Sequence, residues 1–366
     1  MKTDMIVAMA SRSLFIFALP LLIAGPARPL AGKPAAALTS AAQAPTAGDL
    51  LDKYTENADK MKSIIFKEYS ISEIVRTYGT PGQPPMRRTM HSEDEHRLDG
   101  KRGFWSFVRW GNVAPDGGWR DKGHDYGSRL YDGKCFYQHG KARGSKHRPN
   151  GRVIITRSNV ERGSIQLATE STLLGFFTGN DGRIDTVLRK ARRISVRNRM
   201  EKVGDSSCYV IDAVTMYGRQ TVWVDPEKGH NVRKLVINRM PGDKNGYLTL
   251  KKGQKYDYRF EAQRFKKVEN AWIPEQYSSR MAQYFDPKNV YSGKSDGKLL
   301  EVTLNPDHEA LGSFSPLDVS NGASVYIMDI DRRTHTWQDG KVLNKDGTVI
   351  MDCTPGRKTD SAESHP

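Results

Sequence analysis

Two-residue alternation of apolar and polar side chains recurs along most of this chain, and it constrains the fold more than any other feature. In KYDYRFEAQRF (255–265), Tyr256, Tyr258 and Phe260 occupy alternate positions, which puts all three on one face of a strand. In RRISVRNRM (192–200), Ile194, Val196 and Met200 alternate with Arg193, Ser195, Arg197 and Arg199, predicting one buried and one cationic face. CYVIDAVT (208–215), RQTVWV (219–224) and NVRKLVINRM (231–240) read as further strands, the last two separated by the turn DPEKG. A turn at Glu269-Asn270 leads into WIPEQYSSRMAQYF. Successive short strands of this kind predict a mainly β (α+β) protein built on one large curved antiparallel sheet.

Helices are few in this reading. Leu50, Leu51, Tyr54, Ala58 and Met61 share one face at 3.6-residue spacing, with Asp49 where the helix dipole favours an acid. Leu167 to Phe177 is a mainly apolar helical or loop stretch, and Asp185 to Ala191 a short charged segment around Val187 and Leu188. Near the end, SVYIMDI and THTWQDGKVL predict a closing hairpin.

The N-terminus has a different logic. Lys2 and Arg12 precede the apolar run SLFIFALPLLIAG (13–25), which ends at Pro26, Arg28 and Pro29, too short to span a bilayer. This is the pattern of a secretory signal peptide cleaved after Ala27; a second small-residue site after Ala44 lies far from the apolar core. The expected organisation is a signal peptide over 1–27, an Ala- and Pro-rich tether over 28–47, a main domain over 48–305, a C-terminal β-hairpin extension over 306–351 and a disordered tail over 352–366. An exported, periplasmic or secreted protein follows.

Lys and Arg number 57 against 42 Asp and Glu, a formal charge of +15. That balance suits anionic surfaces such as lipid headgroups, or serves solubility; export makes nucleic acid an unsuitable partner. Of three cysteines, Cys135 and Cys208 fall in strand-like stretches and are the better disulfide pair in an oxidising compartment, leaving Cys353 over; three unpaired cysteines are the alternative, since a chain of this size needs disulfides less than a small domain does. No metal-binding, phosphate-cradling or nucleophile motif appears, so neither a cofactor, a metal nor catalysis is expected. Two polar clusters are candidates for chemistry. His91-Ser92-Glu93-Asp94-Glu95-His96 divides between two faces if it is a strand, and His124-Asp125 sits in a glycine-rich loop.

Aromatics are denser than ionisable clusters. Phe104, Trp105, Phe107 and Trp110 crowd KRGFWSFVRW, Phe136 and Tyr137 follow a turn, and others recur on later strands. They suit either an ordinary core or a concave sheet holding an apolar ligand.

Three local patterns carry a resemblance. A helix runs into a long first strand (GDLLDKYTENADKMKSIIFKEYSI), Tyr131-Asp132-Gly133-Lys134 precedes Cys135-Phe136-Tyr137, and Thr221-Val222-Trp223-Val224 is closed by Asp225-Pro226-Glu227-Lys228-Gly229. The chain resembles the LolA-like superfamily of periplasmic lipoprotein carriers, as an extended relative. The resemblance implies an unclosed β-barrel with helices packed on its concave face, holding acyl chains between them. It also implies a barrel-strand arginine that latches the lid, for which Arg197 and Arg239 are candidates by strand position.

The expected function is binding of a lipid or lipoprotein acyl chain, with membrane-surface contact. Tyr256, Tyr258, Phe260, Trp223, Ile194 and Val196 are the candidate cavity residues. The alternatives are an envelope sensor that binds a protein partner, and an exported enzyme on an anionic polymer using His124 and Asp125 or His91 and Glu93.

Overall fold

The computed structural model describes residues 45–78, 83–100, 102–113, 125–142, 150–157, 172–177, 182–246, 248–286, 288–328 and 333–354. The expected signal peptide, most of the tether, His124, the start of the 167–177 stretch and the tail beyond Thr354 lie outside them. All described residues belong to one unit, Ala44–Pro366.

Helix α1 (Ala47–Asp59) starts at the last residue predicted for the tether, one before the predicted domain start. Its start is fixed by a capping box: Asp49 N donates to Thr46 Oγ1 at 3.2 Å, and Thr46 N donates to Asp49 Oδ2 at 2.9 Å. Leu50, Leu51, Tyr54, Ala58 and, just beyond the helix, Met61 are all buried.

Six strands then form a meander: β1 (Ser63–Arg76), β2 (Met86–Asp99), β3 (Arg102–Val113), β4 (Asp125–Tyr131), β5 (Phe136–Ala142) and β6 (Arg152–Thr156). Helix α2 (Ile184–Arg189) follows. Next come β7 (Arg193–Val196) and β8 (Glu201–Val203), both paired to β9 (Ser206–Thr215) at one sheet edge. The second meander continues through β10 (Gly218–Asp225) and β11 (Asn231–Arg239), past the small hairpin β12 (Lys244–Asn245) and β13 (Leu248–Thr249). It ends with β14 (Lys255–Val268), β15 (Ala271–Tyr284) and β16 (Val290–Leu304).

Pairing of β1 with β16 joins the two meanders into one sheet. Beyond β6 come β17 (Ser324–Ile327), β18 (His335–Gln338), β19 (Lys341–Leu343) and β20 (Val349–Asp352). The β6–β17 pair is parallel, so the sheet is mixed at that point rather than wholly antiparallel. The edge at β7 and β8 does not pair with β20, and the barrel stays open. Bulges at Lys67/Glu68, Trp223/Val224 and around Arg264 curl the long strands.

Helix α1, α2 and residues 172–177 pack on the concave face. Their apolar side chains meet Ile211, Val222, Leu235, Ile237, Tyr258 and Phe260 in one core. Arg183 ties the helices together, donating to Asp185 at 2.8 and 2.7 Å and to Asp59 at 3.1 Å. Burial would push the Asp185 carboxyl up, but the Arg183 guanidinium and the Thr55 hydroxyl outweigh it and hold it below the usual range.

The turn after β10 fixes α1 to the sheet. Asn57 exchanges two hydrogen bonds with the backbone of Trp272, each 3.1 Å. Gly229, at φ 65°, lies so close that a Cβ there would stand 2.6 Å from Asn57 Oδ1. Gly229→Ala therefore adds left-handed backbone strain and displaces Asn57. It is expected to lower stability by about 2 kcal/mol or more, read as the urea midpoint. An unchanged midpoint would show that the turn does not seat the helix.

A second core lies on the opposite face of β3–β6. Phe104, Leu130, Tyr137, Val153 and Ile155 point outward there and are covered by Phe314, Val319, Val325, Ile327 and Trp337. Residues 306–351 thus do more than add a hairpin. They extend the sheet and roof its convex side.

The expected Cys135–Cys208 disulfide is not formed; all three cysteines are free thiols. Cys208 is fully buried on β9, its thiol pushed up to about 12 by burial. Cys135 sits in the β4–β5 turn and packs, with Cys353, against the second core. Strand-like surroundings could not show that the two segments lie at distant places in the strand order.

Candidate functional site

The concave face has two halves, and among the described residues the helices fill only one. Over β9–β16 the helices cover it. Over β1–β6 it forms a cleft of about 760 Å³. Register assigns the residues that face this space. Ile74, Arg88 and Met90, then Phe107, Arg109 and Asp125, then Arg129, Gln138, Arg152 and Ile154 all fall on the concave side of their strands.

Apolar and cationic groups interleave here. Trp105 and Tyr131 are buried, with Phe107 and Phe136 packed against them. Gly127 makes this packing feasible: a Cβ there would stand 2.4 Å from Phe107 Cζ, so its absence lets the ring lie across β4. The Arg109 guanidinium carbon is 3.8 Å from the Phe107 ring centre and 5.5 Å from that of Trp105. Arg129 stacks over Trp105 at 5.0 Å, and Arg152 over Tyr326 at 4.3 Å. Guanidinium planes laid on rings keep their donors at the rim, where they can serve a carboxylate or phosphate.

Between core and cleft runs a seam of buried polar groups. Tyr277 OH donates to Glu68 Oε2 at 3.0 Å, and His96 Nε2 lies 3.5 Å from Glu68 Oε1. His96 is 1% exposed and stacks on Phe66 with ring centres 4.4 Å apart. Trp105 Nε1 donates to Asp94 Oδ1 at 3.0 Å. Burial first, and then the Glu68 charge, push the Asp94 carboxyl above its usual range.

Behind the cleft, a second polar group clamps the C-terminal region. Asp318 accepts from Tyr126 OH at 2.7 Å, from Ser128 Oγ, and from His139 Nδ1 at 3.0 Å. Burial opposes ionisation of Asp318, but these three donors prevail and hold its carboxyl below the usual carboxylate range. A depressed carboxyl contributes stability that is full above its unfolded value and lost as pH falls through the folded one. The stability difference between wild type and Asp318→Asn is thus expected to be constant above about pH 5 and to shrink below about pH 4. Urea midpoints across pH 3–7 measure it; a difference that grows on acidification would contradict the clamp.

The sequence-expected cavity residues are divided by the structure. Tyr256, Tyr258 and Phe260 do share the concave face, but inside the packed core, where Phe177 meets Phe260 edge-on at 4.7 Å. Val196 is half-buried against that core. Ile194 lies in register with Ala213 yet is 37% exposed, because β7 is an edge strand. Met200 is exposed too, so the buried face expected for this segment is not formed. Trp223 faces the other way: Val222 and Val224 take the inner positions. Its indole donates to Glu201 Oε2 at 2.9 Å, with Lys234 Nζ 4.8 Å above the ring.

Of the two arginine candidates, Arg197 is an exposed partner of Asp212 and Glu201. Arg239 is fully buried, 4.8 Å from the Tyr256 ring. His91 sits on the convex side, 2.6 Å from Tyr69 OH and stacked on Trp110, while Glu93 is exposed. Asp125 does line the cleft. The signal for the cleft is the alternation Trp105, Phe107, Arg109, set among so many other arginines that it does not stand out in the sequence.

No family model and no curated protein matches the chain. Among solved structures, a DUF1329 family protein from Desulfovibrio piger is 15% identical, with a TM-score of 0.33, covering 74% of this chain and 98% of its own. A domain described as an outer membrane lipoprotein-sorting protein from Vibrio parahaemolyticus is 11% identical at a TM-score of 0.33, covering 70% and 92%. A mutant porin of Rh. blastica is 8% identical at 0.24, covering 65% and 100%. Overlaps this partial assign no function to this chain. The fold class stands on its own strand pairing.

Proposed function

We propose that this is an exported binding protein of the LolA-like type that holds an acyl chain in the open half of its concave face. The observation that carries the reading is the cleft itself: about 760 Å³ in an unclosed, helix-plugged sheet, with Ile74, Met90, Phe107 and Ile154 among its lining. That volume suits a lipid-sized ligand. The apolar run at the N-terminus supports a periplasmic setting. The acyl chain of a lipid or lipoprotein is the ligand this reading assigns.

Chain length provides the test. Each buried methylene contributes about 0.8 kcal/mol, so affinity for a series of single-chain amphiphiles is expected to rise about fourfold per added CH₂. Calorimetric titration with chains of about 8 to 16 carbons measures it. Affinity that is flat with chain length would sink the proposal, as would protein that neither carries lipid in native mass spectrometry nor takes any up.

A further inference from the structure

We propose that Cys135 and Cys353 form a disulfide when the chain meets an oxidising compartment, strapping the C-terminal region to the β4–β5 turn. The inference goes beyond ligand binding and stands apart from it. It pairs Cys135 with the cysteine that the strand-like pattern leaves over.

Position comes first. Cys135, just before β5, and Cys353, just after β20, pack against the same core, that of Tyr137 and Trp337. The Tyr137 hydroxyl is a hydrogen-bond partner of both thiols, so the two sulfurs are neighbours across one oxygen atom. Cys208 lies elsewhere, on β9, whose strand partners are β7, β8 and β10.

Both backbones are fixed at this point. Cys135 N donates to Asp132 Oδ1 at 2.7 Å, and Asp132 N donates to Cys135 O at 3.3 Å, which closes the turn. Cys353 N donates to Gly340 O at 2.8 Å, which holds it beside the turn between β18 and β19. Tyr137 OH in turn donates to Asp132 Oδ2 at 3.2 Å. Forming the bond takes two thiols off a hydroxyl that keeps its carboxylate, so the buried tyrosine oxygen is not left without a partner.

Access and chemistry agree with this placement. Cys135 and Cys353 are both partly exposed, whereas Cys208 is fully buried and out of an oxidant's reach. The oxidant is a disulfide, of a small thiol or of an oxidoreductase. One protein thiol loses its proton to solvent, and the thiolate attacks a sulfur of that disulfide, expelling one thiolate. The second protein thiolate then attacks the mixed disulfide and expels the other. Two protein thiols are thereby oxidised by two electrons, and the incoming disulfide is reduced to two thiols. Burial, the largest cause, pushes both cysteines up, Cys353 to about 12. Thiolates that basic are poor leaving groups, so the bond, once made, resists exchange and acts as a strap rather than a relay.

What it holds is the part of the fold with the thinnest attachment. Residues after Asn305 join the rest through four parallel residue pairs, Asp318 and the second core. A link from residue 135 to residue 353 closes a long loop and restrains the unfolded chain accordingly.

The test takes the full chain from reductant into oxidised glutathione and counts thiols in denaturant. Three are expected before oxidation and one, Cys208, after it. Tryptic digestion without reductant is expected to give residues 135–141 linked to residues 346–357. The urea midpoint of the oxidised chain should exceed that of the same chain reduced. Cys353→Ser, kept in oxidised glutathione, should show no such gain.

Three thiols remaining after oxidation, a link from Cys135 to Cys208, or a link between two copies of the chain would overturn the proposal. So would glutathione held on Cys135 with Cys353 still free, since that marks two thiols unable to meet. A link that forms without any gain in midpoint would overturn its role as a strap. The peptide map is read on the unaltered sequence, so it decides the pairing even if the serine variant does not fold. Failure of the chain to bind lipid would leave every one of these readouts in place.

Discussion

Tyr258→Asp is expected to leave the chain unable to fold. The ring is 7% exposed, opposite Ile237 on β11 and Met281 on β15, in the core beneath the helices. Removing a buried aromatic ring costs about 3–5 kcal/mol, and an unpaired buried carboxylate adds several more. Against a total stability of about 5–15 kcal/mol, that is most or all of it. Soluble yield and near-ultraviolet circular dichroism report the outcome. Tyr258→Phe keeps the packing and loses the hydroxyl's bond to Ser279, so it should fold, at a cost of about 1 kcal/mol. An aspartate variant that folds as well as the phenylalanine one would mean that this face is wet and that the core lies elsewhere.

Trp337→Ala is the second large effect, and it should be local. The indole is 2% exposed in the core between the convex side of β3–β6 and the C-terminal region. Truncation is expected to cost about 3–5 kcal/mol. The C-terminal region joins the rest through the four-residue parallel pairing of β17 with β6, the Asp318 clamp and this core. Weakening the core should therefore release residues after Asn305 before β1–β16 melts. Limited proteolysis is expected to cut there in the variant at protease levels that spare the wild type. Resistance to cleavage together with an unchanged melting temperature would show that Trp337 is not structurally required.

Which parts of this arrangement the sequence discloses depends on how local their cause is. Helix α1 is legible because its apolar spacing and its cap lie within 16 residues of one another. The Tyr256-Tyr258-Phe260 face is legible because its period is unbroken. Trp223 is not, because Val222, Trp223 and Val224 are all apolar and either parity could face inward. β9 shows the same ambiguity, with Cys208 and Val210 buried on one side and Ile211 and Ala213 on the other. Ile194 has the right parity but the wrong place, since being an edge strand is a property of the whole sheet. The cleft escapes notice for another reason. Whether an aromatic floor is filled or open depends on where the helices stop, and nothing within β3 or β4 records that.

The pairing of β1 with β16 also bears on how the molecule is made. Each meander consists of neighbours in sequence and can zip locally, but Ile64 meets Leu304 only after the chain between them is in place. Closing a loop of roughly 240 residues costs about 5 kcal/mol of chain entropy before any ladder bond is returned. Such long-range contacts slow folding. For a chain that crosses a membrane N-terminus first, β1 would emerge long before its partner, with one edge open to the wrong strand. The polar and charged positions along it, Lys67, Ser70, Ser72 and Glu73, then act during synthesis as guards of a strand whose partner has yet to arrive.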